Sequence, residues 1–308
     1  MAPPGGISRW MDLGGPVRYL DFGGPPDGPL IVCVHGLGGS AVNWMSIAPL
    51  LTGTCRVLAP DLAGHGLTQS HGRGTDVASN RALLHRFIRA VASGPVILMG
   101  NSMGGMISLL EASAAPASVA GLVLLDPALP VVAARPDPAV TAMFALYLTP
   151  GLRRAVLARR RRAPAELVAS ILRLCCADSS RVPAEVTARH VEVAVQRAGF
   201  PGIEGDFAAA LRSVLRTAGY PHGRAYRQRI GSVTCPVLLI HGSQDRLVPL
   251  AAARAAARAN PSWSLLELPG VGHVPQLEVP QQTADAVLAW LASAGQHAAG
   301  LTRAPAGA

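Results

Sequence analysis

The sequence contains no lysine, and all 27 of its basic residues are arginines. The formal net charge of +9 would suit a nucleic-acid partner, but only 4% of the residues are aromatic, and no aromatic-rich nucleic-acid module accompanies the charge. Abundant alanine, glycine and proline beside arginine are typical of a high-GC genome. One dense cluster, "RRAVLARRRR" at 153–162, predicts a solvated helix face, with attraction to anionic lipid or acidic ligands as the alternative. We expect no nucleic-acid partner.

Long apolar runs are also missing. The longest, such as "PLIVCV" and "PVLLI", are far too short to cross a bilayer. The N-terminal "MAPPGGISRWMDLGG" has no basic stretch followed by an apolar one, so we expect neither a secretory signal nor a transmembrane segment. These features predict a cytoplasmic protein, whose oligomeric state the sequence leaves open.

Cysteine usage excludes two further classes. The five cysteines are odd in number and form no C-x-x-C pair, which indicates neither a disulfide framework nor a zinc site. Half of the 308 residues are hydrophobic, however, so the chain can bury a sizeable core.

Short apolar runs alternate with helix-length patterns along most of the chain. Runs that are apolar at every position, with no polar residue at every second one, are typical of strands buried on both faces of a parallel sheet. The predicted strands are 17–22, 30–36, 55–61, 96–102, 122–127, 236–242 and 264–270. The predicted helices between or after them are 40–52, 75–92, 103–114, 249–259 and 280–293. This order favours an α/β fold with a mostly parallel central sheet flanked by helices.

The alternation stops between about 128 and 231, where helical patterns follow one another. We therefore predict a core formed by 1–127 and 232–294, a helical cap at 128–231, and an unstructured tail at 295–308.

The stretch "VILMGNSMGG" places Ser102 where a predicted strand gives way to a predicted helix. An abrupt strand-to-helix turn strains the backbone of the turn residue and brings its neighbours close together, which favours glycine on both sides. Gly100 and Gly104 stand at these positions in a G-x-S-x-G pattern. Such a turn lifts the serine hydroxyl clear of the sheet, so Ser102 is the candidate nucleophile.

A serine nucleophile requires a base, and the base requires an acceptor that fixes its tautomer. His273 lies in the loop "LPGVGHVP" after the last predicted strand, and Asp245 lies in "GSQDRLVP" after the preceding one. Open α/β sheets place chemistry at these carboxyl ends of strands. The developing oxyanion also needs donors, for which we predict the backbone N–H groups of Met103 and of Leu37 in "VHGLGGS".

Together these motifs resemble the α/β-hydrolase superfamily, in its capped serine-hydrolase branch of esterases and lipases. The matching segments are strand-HGLGG, "PDLAGHGLT" at 60–68, G-N-S-M-G-G, D-x-x-V-P and G-H-V-P. The order Ser102, Asp245, His273 is that of the superfamily. Asp126, at the end of "LVLLDP", competes with Asp245 because some relatives carry the acid there; the D-R-L-V-P context favours Asp245.

The resemblance implies a nucleophile elbow, a catalytic triad and an oxyanion hole that hydrolyse a carboxylic ester, lactone or thioester through an acyl-enzyme. It implies no metal and no organic cofactor, and a small-molecule substrate with a hydrophobic portion. G-N-S-M-G-G also resembles meta-cleavage-product hydrolases, which cut carbon–carbon bonds. Those relatives show a G-x-G-P-G loop and a tryptophan after the histidine, whereas here the loop is Gly36-Leu37-Gly38-Gly39-Ser40 and Val274 follows His273. A non-enzymatic hydrolase-fold receptor is the third interpretation.

Overall fold

Eight strands form one sheet in the computed structural model, which describes residues 5–130, 137–149, 151, 163–219 and 222–301. The strands are β1 (Ile7–Asp12), β2 (Pro16–Gly23), β3 (Leu30–Val34), β4 (Arg56–Pro60), β5 (Val96–Asn101), β6 (Val119–Leu125), β7 (Val237–Gly242) and β8 (Ser264–Leu268). Their order in the sheet is β1-β2-β4-β3-β5-β6-β7-β8. Only β2 runs against its neighbours β1 and β4, and the other pairs are parallel.

All seven predicted strands are present, and β5 and β7 are buried at every residue, as fits central parallel strands. Strand β1 was not predicted. It lies at the edge of the sheet with five of its six residues exposed, including Trp10 at 54%, so it lacks the apolar run that identifies a buried strand.

Helices cover both faces of the sheet. They are α1 (Ala48–Leu51), α2 (Val77–Val91), α3 (Met103–Ala114), α4 (Pro138–Leu148), α5 (Pro164–Cys175), α6 (Ala184–Arg197), α7 (Ile203–Ala218), α8 (Gly223–Gly231), α9 (Leu250–Ala259), α10 (Pro275–Glu278) and α11 (Pro280–Leu301). Short 3₁₀ turns occur at Ala41–Trp44, Pro116–Ser118 and Ser179–Arg181. In the described part of the chain, no helix is long and apolar enough to cross a membrane.

Two helix predictions differ from the structure. The pattern at 40–52 forms the Ala41–Trp44 turn and then α1, because Pro49 lacks the N–H needed to continue a helix and sits instead in the first turn of a new one. Helix α11 continues to Leu301, into the predicted tail at 295–308, since the alanines of "AGQHAAGL" favour helix. Residues 302–308 lie outside the described residues.

The described residues between β6 and β7 form helices α4 to α8. Helices α5 and α6 pack against each other, and Val168 and Leu172 of α5 join a small cluster with Leu277 of α10. Helix α8 differs, because its Tyr226 and Ile230 join the main core cluster beside α3. The cap boundary at 231 thus remains a prediction, with α8 packed as part of the core. The arginine cluster at 153–162 lies outside the described residues.

Candidate active site

Ser102 lies at the junction of β5 and α3, directly above the carboxyl edge of the sheet. Its backbone has φ +55° and ψ −119°, a left-handed conformation that residues other than glycine rarely adopt. The Ser102 N–H donates to the Leu125 carbonyl at 3.1 Å, and the Ala128 N–H donates to the Ser102 carbonyl at 2.9 Å. These bonds to the end of β6 hold the strained turn in place.

The glycines around Ser102 are required by close backbone approach. A Cβ atom at Gly100 would lie 2.6 Å from the Gly104 carbonyl oxygen, and a Cβ at Gly104 would overlap the Val34 carbonyl of β3. The sharp turn therefore depends on glycine at both positions, as the G-x-S-x-G pattern predicts. The turn residue that this packing presents is Ser102.

His273 and Asp245 are joined directly. The Nδ1 atom of His273 and the Oδ2 atom of Asp245 are 2.7 Å apart, while Asp245 Oδ1 accepts from the N–H groups of Leu247 at 2.7 Å and Val248 at 3.1 Å. Burial disfavours the Asp245 carboxylate, but the neighbouring imidazole and the backbone donors outweigh it and lower the pKa of Asp245 below its usual value. The arrangement suits an acid that orients a histidine.

The competing acid, Asp126, makes a different contact. Its Oδ1 atom accepts from the Gly242 N–H at 2.9 Å, and no hydrogen bond joins it to His273 among the described residues. The structure thus joins the imidazole of His273 to Asp245, whereas the carboxyl of Asp126 bonds the backbone of Gly242. We keep Asp245 as the proposed acid on this geometry.

The loop that carries His273 is fixed from two sides. The His273 N–H donates to the Cys175 carbonyl at the end of α5, at 2.6 Å. The side-chain amide of Asn101 donates to the carbonyls of His273 and Leu125, each at 3.0 Å. Asn101 thus connects the serine strand, the end of β6 and the histidine loop, a role that the sequence did not indicate.

We expect Asn101→Ala to lower kcat by about tenfold with a smaller effect on KM, because the mutation frees the histidine loop, while Asn101 borders the cavity only beside Ser102. Steady-state kinetics on an ester substrate would measure both constants. Asn260→Ala is the matched control, since among the described residues the Asn260 amide bonds only the Ala256 carbonyl at the end of α9. An Asn101→Ala enzyme with the kcat of the wild type would contradict a positioning role.

The loop after β3 approaches Ser102 closely. A Cβ at Gly36 would lie 3.0 Å from the Ser102 Cβ, so the backbone of this loop borders the hydroxyl. Within the described residues, neither the Leu37 nor the Met103 N–H donates to an acceptor outside a helix or strand. His35 braces the loop: its Nδ1 lies 2.8 Å from the Gly36 carbonyl, and its Nε2 accepts from the Leu62 N–H at 3.0 Å. The two predicted donors are therefore available to an oxyanion.

A cavity of about 810 Å³ opens above this site. Ser102, Met103, Leu37 and His273 line its floor. Its walls are mostly apolar side chains from the helices between β6 and β7, among them Phe144, Leu172, Phe207 and Leu211. The site therefore offers a polar floor under a largely apolar chamber, as small-molecule sites do.

The chain was compared with known proteins. The profile of the alpha/beta hydrolase family matches residues 31–286. The chain belongs to this family. A putative lipase from Acinetobacter baumannii has a similar crystal structure, with a TM-score of 0.77 and 24% identity over 96% of this chain and 93% of that one. At this identity the likeness concerns the fold.

Curated relatives of the hydrolase carry different activities. The chain is 30% identical to the dihydrolipoyllysine-residue acetyltransferase component of an acetoin cleaving system from Pseudomonas putida, over 93% of this chain and 67% of that protein. It is 29% identical to a pimeloyl-[acyl-carrier protein] methyl ester esterase from Aromatoleum aromaticum, over 83% and 95%. It is 31% identical to a 2-hydroxy-6-oxo-2,4-heptadienoate hydrolase from Pseudomonas putida, over 71% and 73%.

Glu278 is a second residue of the hydrolase site, after Asn101, whose role sequence reasoning missed. Its buried carboxylate accepts from the N–H groups of Gly272 at 2.9 Å, Ala177 at 3.1 Å and Asp178 at 3.0 Å, and Arg181 approaches it at 3.3 Å. It thereby joins the histidine loop to the segment that follows α5. A charged residue between Leu277 and Val279 in "PQLEVP" was the available signal, because buried carboxylates require several donors.

Proposed function

We propose that the protein is a serine hydrolase that cleaves carboxylic esters with a hydrophobic portion through an acyl-enzyme. The observation that carries the proposal is the strained Ser102, which shares a cavity floor with His273 while Asp245 bonds the far nitrogen of that histidine. The relative that is an esterase supports this reading.

In the proposed reaction, the Ser102 hydroxyl attacks the ester carbonyl while His273 takes the hydroxyl proton. Asp245 stabilises the imidazolium, and the N–H groups of Leu37 and Met103 stabilise the oxyanion. His273 then gives the proton to the leaving alcohol. In the second half of the reaction, water attacks the acyl carbonyl while His273 takes its proton, and His273 returns that proton to the Ser102 oxygen as the acid leaves.

We expect the cavity to select esters by acyl length. Each buried methylene contributes about 0.8 kcal/mol, so kcat/KM should rise up to about fourfold per added methylene until the chamber is filled. A series of p-nitrophenyl esters from acetate to dodecanoate measures this dependence. A rate that falls steadily from acetate onward would contradict an apolar acyl site.

Covalent labelling tests the proposed class of enzyme. A fluorophosphonate probe should label Ser102, identified by peptide mass spectrometry, and the same preparation should turn over at least one ester of the series. Labelling without ester turnover would favour the carbon–carbon hydrolase or the receptor.

The carbon–carbon bond hydrolase remains a second candidate because of one relative and one residue. The 2-hydroxy-6-oxo-2,4-heptadienoate hydrolase is similar to most of this chain. Asn101 precedes the serine, as in that branch, but its amide here bonds two backbone carbonyls. A ring-opened dienoate substrate assayed beside the esters separates the two activities.

A further inference from the structure

A second carboxyl group lies beside the proposed triad acid. One oxygen of Asp126, one oxygen of Asp245 and a ring nitrogen of His241 all lie within 4.8 Å of one another. The side chains of all three are fully buried. Two carboxylates this close in a buried site cannot both stay ionised unless a cation compensates them.

The hydrogen-bond donors around the pair are distributed unequally. Asp245 receives two backbone N–H groups on Oδ1 and the His273 ring on Oδ2. Asp126 receives one, the Gly242 N–H on Oδ1, and its buried Oδ2 has no partner among the described residues. The carboxylate that is equipped for a negative charge is Asp245.

His241 does not supply the missing cation. Its Nε2 lies 3.0 Å from the Val248 carbonyl, which makes this nitrogen the donor, and its buried Nδ1 has no partner in the described structure. A protonated ring would leave an unsatisfied Nδ1–H. Burial also lowers the pKa of His241. The remaining charged group that acts on Asp126 is the Glu278 carboxyl, which is not a cation either.

We propose that Asp126 keeps its proton at neutral pH and donates it to the Asp245 carboxylate, as a positioning residue for the triad acid. The proposal rests on the proposed hydrolase function. It leaves the pair one negative charge, on the carboxylate that already has backbone donors and His273 as partners. Burial, and then the charge of Asp245, raise the pKa of Asp126 well above its usual value, in agreement with the geometry.

Infrared spectroscopy tests the proton directly and requires no substrate. The wild type at neutral pH should show a carboxylic-acid C=O stretch that shifts in D₂O and is absent from Asp126→Asn. A wild-type spectrum without this band would overturn the proposal even if the protein proves to be an esterase. The band would remain decisive if no ester were turned over.

Stability against pH gives a second measurement. Because the folded chain holds a proton that the unfolded chain releases near pH 4, the contribution of Asp126 falls as the pH rises above that value. Asp126→Asn lacks this loss, so the melting temperature of Asp126→Asn minus that of the wild type should increase between pH 4 and pH 7. A relative melting temperature that falls over this range would show an ionised Asp126. If Asp126→Asn does not fold, the carboxylic-acid C=O band of Asp245→Asn is measured instead. Without the charge of Asp245, this band should disappear at a lower pH than in the wild type. A band that disappears at the same pH in both proteins would contradict the proposal.

Kinetics separate positioning from mere packing. Glycine suits the backbone of Asp126, whose φ is +45°, so Asp126→Gly removes the carboxyl without adding strain. We expect it to lower kcat about ten- to a hundredfold at similar KM, and Asp126→Asn to restore most of the loss because its amide can donate to Asp245. An Asp126→Asn enzyme as slow as Asp126→Gly would contradict a donor at this position.

Discussion

Ser102→Ala is expected to lower kcat/KM by on the order of 10³-fold or more and to abolish fluorophosphonate labelling. The variant removes the hydroxyl oxygen that is proposed to form the acyl-enzyme, while the proposed oxyanion donors and the cavity stay in place. Ester hydrolysis and intact-mass measurement of the labelled protein give the two readouts. The matched control is Ser113→Ala, because the Ser113 hydroxyl bonds Ser232 at the surface.

The strain at Ser102 provides an independent check on the same position. A residue held at positive φ costs about 1 kcal/mol or more relative to glycine. Ser102→Gly should therefore be inactive and yet unfold at a higher denaturant concentration than the wild type. A Ser102→Gly protein that is both inactive and less stable would indicate that the hydroxyl supports the fold, and the nucleophile assignment would lose its physical basis.

The sequence predicts the central sheet well because its strands are apolar throughout. Burial on both faces is a property of the strand itself, so a run such as "PVILMGN" identifies β5 before any contact is known. The turn at Ser102 is equally local, since the glycines at 100 and 104 encode its close approach. Edge strand β1 does not meet this criterion, because its residues are mostly exposed and it is held by hydrogen bonding to β2.

Contacts between distant segments are what the sequence could not predict. Asn101 and His273 are 172 residues apart, and Gly242 and Asp126 are 116 apart, yet each pair is hydrogen-bonded. Such bonds depend on the register of neighbouring strands and on the path of the inserted helices. The sequence could propose Asp126 and Asp245 as alternatives for one role, whereas the geometry gives them different hydrogen-bond partners.

One physical requirement connects these distant contacts. An imidazole that accepts and returns a proton has to keep its orientation while its charge changes, which requires fixed partners around the ring. His273 meets this through Asp245 at its ring, Asn101 at its carbonyl and Cys175 at its N–H. The last residue of α5 therefore helps to hold the histidine loop, in addition to covering the site.

Glu278→Ala is expected to lower the free energy of unfolding by about 3 kcal/mol or more, the largest stability effect at this site. It leaves the buried N–H group of Gly272 and the partly buried N–H groups of Ala177 and Asp178 without their acceptor, and Arg181 without its buried partner. Urea unfolding would measure the loss, and Glu278→Gln should recover little because its NH₂ group would face backbone donors. Protein that remains folded should also show a reduced kcat, since Gly272 precedes His273.

Glu267→Ala is the matched control. It removes a glutamate that is likewise paired with an arginine but exposed, and it should leave the unfolding midpoint unchanged. Equal midpoints for the Glu278 and Glu267 variants would show that the buried carboxylate does not hold the histidine loop.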